Sequence, residues 1–203
     1  TMKSTGINAL ARDIHKNAVE HGWWEEKRSL PEIIALIHSE LSEALEEYRS
    51  GKPNLWFACI PTDIFNGCRN MAHCENEKSN LGCVKSEFCR YKDKKPEGIV
   101  VELADAIIRI LDYCAWRKID IEEALNLRKA GNDTYTLPEL IAECHYLIAQ
   151  AHKCEEPRTL YFAECISLIK FWCNENAADI DEVIMIKHEY NKTRTYRHGG
   201  KKC

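Results

Sequence analysis

No apolar run in the chain reaches the 18 or so residues needed to cross a bilayer, so a membrane-spanning helix is not expected. A basic excess is also missing. The formal net charge is −4, which gives no general reason to expect a nucleic-acid partner. The opening residues TMKSTGINALARDIHKNA are polar and amphipathic, without the apolar stretch of a signal peptide, and a cytoplasmic location is the expectation. Strand signals are weak throughout. What remains is 203 residues with 45% hydrophobic and 30% charged content. That is the make-up of a soluble globular protein of one domain, or two small ones, with a sizeable core.

Cysteine is abundant, at eleven. An odd number without a signal peptide argues against a disulfide framework. Cys114, Cys144, Cys165 and Cys173 fall in apolar helical pattern, where a free thiol acts as a small hydrophobe. Another group, Cys68-x5-Cys74-x8-Cys83-x5-Cys89, follows Cys59 in a polar segment without periodicity, 52–97. Four thiolates at this density can hold a structural Zn²⁺, although the spacing is not the common Cys-x-x-Cys. Reduced thiols and disulfides are the alternatives.

Helical periodicity dominates elsewhere. The first helix is expected over 5–21, broken by Gly22-Trp23-Trp24. Ser29-Leu30-Pro31-Glu32 opens a second with an N-cap serine, an early proline and an acid in the first turn, and the helix runs to about Arg49. Pro96-Glu97-Gly98 opens a third, from about 98 to 117, and Asp120 starts a fourth that ends near Gly131.

The second half repeats the first. SLPEIIALIHSELSEA (29–44) aligns without gaps on TLPELIAECHYLIAQA (136–151), and KIDIEEALNLRKAGN (118–132) aligns on AADIDEVIMIKHEYN (177–191). A tandem duplication of one helical unit is expected, 29–132 and 136–191, in an all-α fold. The register sets Leu147 against Glu40, Gln150 against Glu43, Tyr161 against Glu102 and Glu164 against Asp105. Three of four acids are lost in the second copy while the apolar pattern stays, so one acidic site per chain is expected. His38 recurs as His145 and reads as structural.

Those acids are the main chemical signal. Glu40-x-x-Glu43 and Glu102-x-x-Asp105 each place two carboxylates on one helix face. The third helix is apolar nearly all round, and its charged residues, Glu102, Asp105, Arg109 and Asp112, are spaced 3, 4 and 3 apart on one stripe. A buried stripe of three acids and one arginine needs compensating positive charge. All-oxygen ligation suits Mg²⁺, and Mg²⁺ suits phosphate chemistry. Taken alone, Glu40-x-x-Glu43 reads more simply as solvated surface charge. The basic residues Lys187, Lys192, Arg194, Arg197, Lys201 and Lys202 close the chain, as a frayed tail or as phosphate donors. Trp24, with Trp23, either stacks on a base or staples the first helix to the second.

The two acidic motifs in order, followed by the Lys-Ile-Asp-Ile-Glu-Glu-Ala helix, resemble the MazG-like all-α nucleoside triphosphate pyrophosphohydrolases, the superfamily that includes the dimeric dUTPases. The likeness covers about 8–51 and 96–130, plus KHEYNKTRTYRHGGKK near the end. It implies Mg²⁺-dependent cleavage of a (d)NTP to (d)NMP and pyrophosphate, in removal of aberrant nucleotides. Glu40, Glu43, Glu102 and Asp105 would be the metal ligands, with Glu43 also the base that orients water. Lys187, Asn191, Arg194, Arg197, Asp112 and Trp24 would lie near the substrate. A four-helix core in this family comes from two subunits or an internal duplication, so a homodimer is compatible with the pattern. The competing reading is a non-catalytic helical interaction module whose zinc insert binds a partner.

Overall fold

Four of the helices start where a side chain can satisfy their first backbone N–H groups. In the computed structural model, which describes residues 6–58, 95–127 and 134–200, helix α1 is Ile7–Glu20 and α2 is Leu30–Arg49. The Ser29 hydroxyl accepts from the Glu32 N–H at 3.3 Å, and Pro31 fixes the first turn of α2. Asp120 accepts from the Glu123 N–H at 3.0 Å to begin α4 (Ile121–Asn126). Asp179 does the same with the Glu182 N–H at 3.1 Å to begin α7 (Ile180–Lys192). Ahead of α5 (Leu137–Lys153), Glu139 accepts from the Thr136 N–H at 2.8 Å and from its hydroxyl at 2.7 Å. Helix α3 (Ile99–Arg117) starts at Gly98, and α6 is Arg158–Glu175.

The fold is all-α, with α3 at its centre. Leu103, Ala104, Ile107, Ile110 and Leu111 are fully enclosed. Helix α2 lays Ile33, Ile37, Leu41 and Ala44 on α3, and α1 adds Ala11 and Ile14. Helices α5 and α6 form a second layer, joined to the first where α2 meets α5. Two elements cross between layers: α4 packs on α6, and α7 packs back onto α3. At the α2–α5 contact the rings of His38 and His145 stack at 4.9 Å, with their Nδ1 atoms 2.7 Å apart. The second and third helices match the expected ranges closely, whereas α4 ends at Asn126, short of Gly131. Cys114, Cys144, Cys165 and Cys173 are free and buried, as their apolar setting implied. Burial pushes the Cys114 thiol up to about 12.

One feature has no counterpart in the periodicity. Strands β1 (Trp56–Ala58) and β2 (Lys95–Glu97) pair antiparallel, with Trp56 opposite Glu97. They bring the two ends of the 52–97 segment together at the entry to α3. Gly98 turns the chain from β2 into α3 with φ +111°, and a Cβ there would sit 2.6 Å from the Asn54 carbonyl oxygen. Only glycine meets both conditions without strain. Cys68, Cys74, Cys83 and Cys89, and with them the zinc expectation, lie outside the described residues. No helix among the described residues is long and apolar enough to cross a membrane.

Candidate metal and polyphosphate site

Helix α3 is buried on nearly every side, so its polar stripe must face a partner or a cavity. Glu40 projects from the edge of the α2 core stripe towards it. Glu40 and Glu102 are 8% and 6% exposed, and with Asp105 they place carboxylate oxygens within 4.8 Å of one another. The expected quartet is therefore a trio, two of its acids buried and Asp105 half-buried, plus a rim group. Glu43 is exposed, lines the same cavity and accepts a hydrogen bond from Ser39 Oγ at 3.1 Å. Its place one turn along α2 leaves it closer to solvent than Glu40.

Two cations of the chain itself face the trio. Arg109, one turn beyond Asp105, donates from Nε and Nη2 to Glu40 Oε1, both at 3.0 Å. Lys187, reaching in from α7, puts Nζ 2.7 Å from Asp105 Oδ2. Its side chain is only 4% exposed. Burial works against the charge of Lys187, yet Asp105 and Glu102 beside it hold its pKa above the usual lysine value. Glu40 is pushed up by burial, opposed by Arg109 and reinforced by Asp105 and Glu43. Glu102 is raised to about 8, first by burial and then by Asp105.

These groups border a cavity of about 450 Å³. Asn191 and Arg194 line it from α7 and the residues just beyond, so the segment expected as a basic tail is ordered helix up to Lys192. Asn191 Oδ1 is buried without a hydrogen-bond partner, a free acceptor at the wall. Burial lowers the Arg194 pKa, and its guanidinium lies 5.9 Å from the Tyr190 ring centre. Asn17, His21, Trp23 and His198 form another part of the lining, with the Trp23 and His198 rings edge to face at 4.9 Å. Lys95 and Glu97 of β2 also line it. Glu47 is turned to the hairpin, accepting from Trp56 Nε1 at 2.9 Å.

Two residues expected near the substrate are placed elsewhere. Trp24 does not line the cavity. Its indole N–H donates to both Asp112 oxygens at 3.1 Å, and its ring packs on Trp116 at 4.8 Å. Asp112 itself borders the cavity, held by Trp24 and by His15 Nδ1 at 2.6 Å. Arg197 fastens the end of the chain instead: Nε donates to the Gly22 carbonyl at 3.1 Å, and the guanidinium reaches Glu25 and Glu26. Its charge is spent on the α1–α2 loop, whose own acids lie closer than the carboxylate trio's cavity. Conversely, Trp23, named with Trp24 as a stacking candidate, lines the cavity, and so do His21 and Lys95, which no local signal marks because the contact arises from segments far apart in the chain.

Comparison with protein-family models, with curated proteins and with solved structures finds no match. The chemistry must then be read from the donor set. Three carboxylates converging at this spacing offer hard oxygen ligands and no soft ones, which fits Mg²⁺ or Mn²⁺ better than Zn²⁺. Lys187 and Arg194 add cationic donors that suit an anionic ligand.

Proposed function

We propose that the chain is a Mg²⁺-dependent nucleoside triphosphate pyrophosphohydrolase that converts a (d)NTP to the (d)NMP and pyrophosphate. The observation that carries the reading is the Glu40–Glu102–Asp105 trio in a cavity that Lys187 and Arg194 also line. A cluster of carboxylates favours a divalent cation, and nearby ammonium and guanidinium groups favour phosphate oxygens. The volume, about 450 Å³, lies within the range of small-molecule sites.

Glu40, Glu102 and Asp105 would hold the metal. When bound, Mg²⁺ supplies charge neutralisation for the phosphates and acidifies the attacking water. Glu43 takes the role of base: it is exposed at the rim and outside the tight trio, so its carboxylate is free to accept the water's proton as the α–β anhydride bond breaks. Arg109 orients Glu40 and keeps one of its oxygens in place. Trp23 and His198 offer aromatic surface in the same cavity for a nucleobase.

The packing also supports the duplicated unit. Helix α2 on α3 and α5 on α6 are equivalent pairs in the alignment, and α7 on α3 mirrors α4 on α6. His38 and His145 occupy the same register position and meet each other, as a residue does at a two-fold interface. On this reading one chain builds the bundle that otherwise takes two.

The test is pyrophosphate release from a panel of nucleoside and deoxynucleoside triphosphates, with Mg²⁺ and with EDTA. Metal-dependent release from at least one member, abolished by Glu40→Gln, is the expected result. No turnover of any triphosphate by folded protein in Mg²⁺ or Mn²⁺ would refute the assignment.

A further inference from the structure

Asp105 Oδ2 is already taken by a charge that belongs to the chain. Lys187 Nζ lies 2.7 Å away, on a side chain that is 4% exposed. The ammonium is not at the end of a loose tail. Helix α7 is pinned beside it, where His188 Nε2 lies 2.8 Å from Asp13 Oδ2 and Lys192 Nζ lies 3.0 Å from the same oxygen. Glu102, the other buried acid of α3, also acts on Lys187. A divalent cation held by this trio would sit about 2.1 Å from its ligand oxygens. At that distance it shares Asp105 with an ammonium that water cannot screen, and the two cations repel. Metal alone therefore competes with this ammonium for Asp105. A polyphosphate changes the balance, because it brings anionic oxygens that can receive the displaced ammonium.

Resting on the metal–triphosphate reading above, we propose that Lys187 is a tethered counterion that makes divalent-cation binding and polyphosphate binding depend on each other. It guards Asp105 against the cation alone and yields it when the polyphosphate arrives. The role is positioning and coupling, distinct from proton transfer. It also gives the chain a reason to draw this lysine from α7, a separate helix that can carry charge to the far side of α3. Linkage requires the coupling to be reciprocal: metal strengthens nucleotide binding by the same factor as nucleotide strengthens metal binding.

The experiment measures Mn²⁺ affinity by the paramagnetic resonance of free Mn²⁺, with and without an α,β-imido deoxynucleoside triphosphate. In the wild type the analogue is expected to tighten Mn²⁺ by a factor within about 5–150. In Lys187→Met, Mn²⁺ alone should bind more tightly than to the wild type, and the effect of the analogue should shrink to under about threefold. Lys187→Arg keeps the charge and should keep the coupling. A Lys187→Met protein with wild-type coupling overturns the proposal. If Lys187→Met does not fold, the wild type answers by NMR of its ¹⁵N-lysine ammonium groups. The protected Lys187 signal should move when Mg²⁺ and analogue are both bound, and a signal that stays unmoved in that complex overturns the proposal. Wild-type protein that couples the two ligands yet releases no pyrophosphate leaves the counterion in place and removes the catalytic reading. Turnover without coupling does the reverse.

Discussion

Replacing Glu102 with glutamine should make the metal-free protein more stable while removing its function. In the folded chain the Glu102 pKa is raised to about 8 from the ordinary 4.5, chiefly by burial and then by Asp105. For a carboxyl raised on folding, the native state binds the extra proton. Stability contributed this way is full below pH 4.5 and is lost progressively as pH rises through about 8. Each pH unit in that window is worth about 1.4 kcal/mol, so wild-type Glu102 costs about 3 kcal/mol by pH 7 relative to a group that never ionises. Glutamine fills the same space without that cost. The value of about 8 already includes the opposing charge of Lys187, and loss of the carboxyl leaves that ammonium less well balanced, which lowers the gain. The expected gain at pH 7 is thus between about 1 and 3 kcal/mol, or several degrees in Tm for a chain of this length. Thermal unfolding in EDTA at pH 5, 7 and 8.5 checks it: the gap between Glu102→Gln and wild type should be small at pH 5 and widen upward. In Mg²⁺ with a triphosphate the order should reverse, because only the wild type gains ligand binding energy. A gap that stays constant across the three pH values would show that burial does not control this carboxyl.

Three further outcomes follow from separate parts of the molecule. Arg194→Ala should raise KM or lower kcat by roughly tenfold or more, the scale of one charge-assisted hydrogen bond to phosphate; unchanged kinetics would place the guanidinium outside the reaction. Gly98→Ala should destabilise by about 1–3 kcal/mol, since it forces alanine to positive φ against the Asn54 carbonyl, and urea unfolding measures it. Burial first, then His152, lowers the His38 pKa, and burial first, then His38, lowers that of His145, so stability should fall as pH drops below about 6.5, and His38→Asn should flatten that part of the pH–stability curve.

The parts legible in the sequence are those governed by local rules. Ser29, Asp120 and Asp179 mark helix starts because a short polar side chain can reach the N–H three residues on, and all three do so. The α3 stripe is legible because 3–4 spacing fixes a face whatever surrounds it. Glu40, Glu102 and Asp105 converge because α2 packs on α3 with that face against the edge of the α2 stripe. Partners set by tertiary geometry were not legible. Nothing near Lys187 in the chain says that it ends on Asp105 and not on a phosphate, and nothing local separates Trp23 at the cavity from Trp24 against Trp116. The β1–β2 hairpin escaped because three-residue strands carry too few alternations to show a period.

Because α7 crosses to the first layer, the site's two signs of charge are translated far apart in time. At about 5–20 residues per second, a ribosome makes Lys187 roughly 7–30 seconds after Glu40. Until α7 docks, the acids of α2 and α3 lack their ammonium, and the cavity lacks the wall that Asn191 and Arg194 supply. A half-made chain therefore carries a cluster of carboxylates before the cavity around them is closed. On the reading proposed above, nucleotide binding would begin only once α7 has docked, which would make it a late reporter of correct folding.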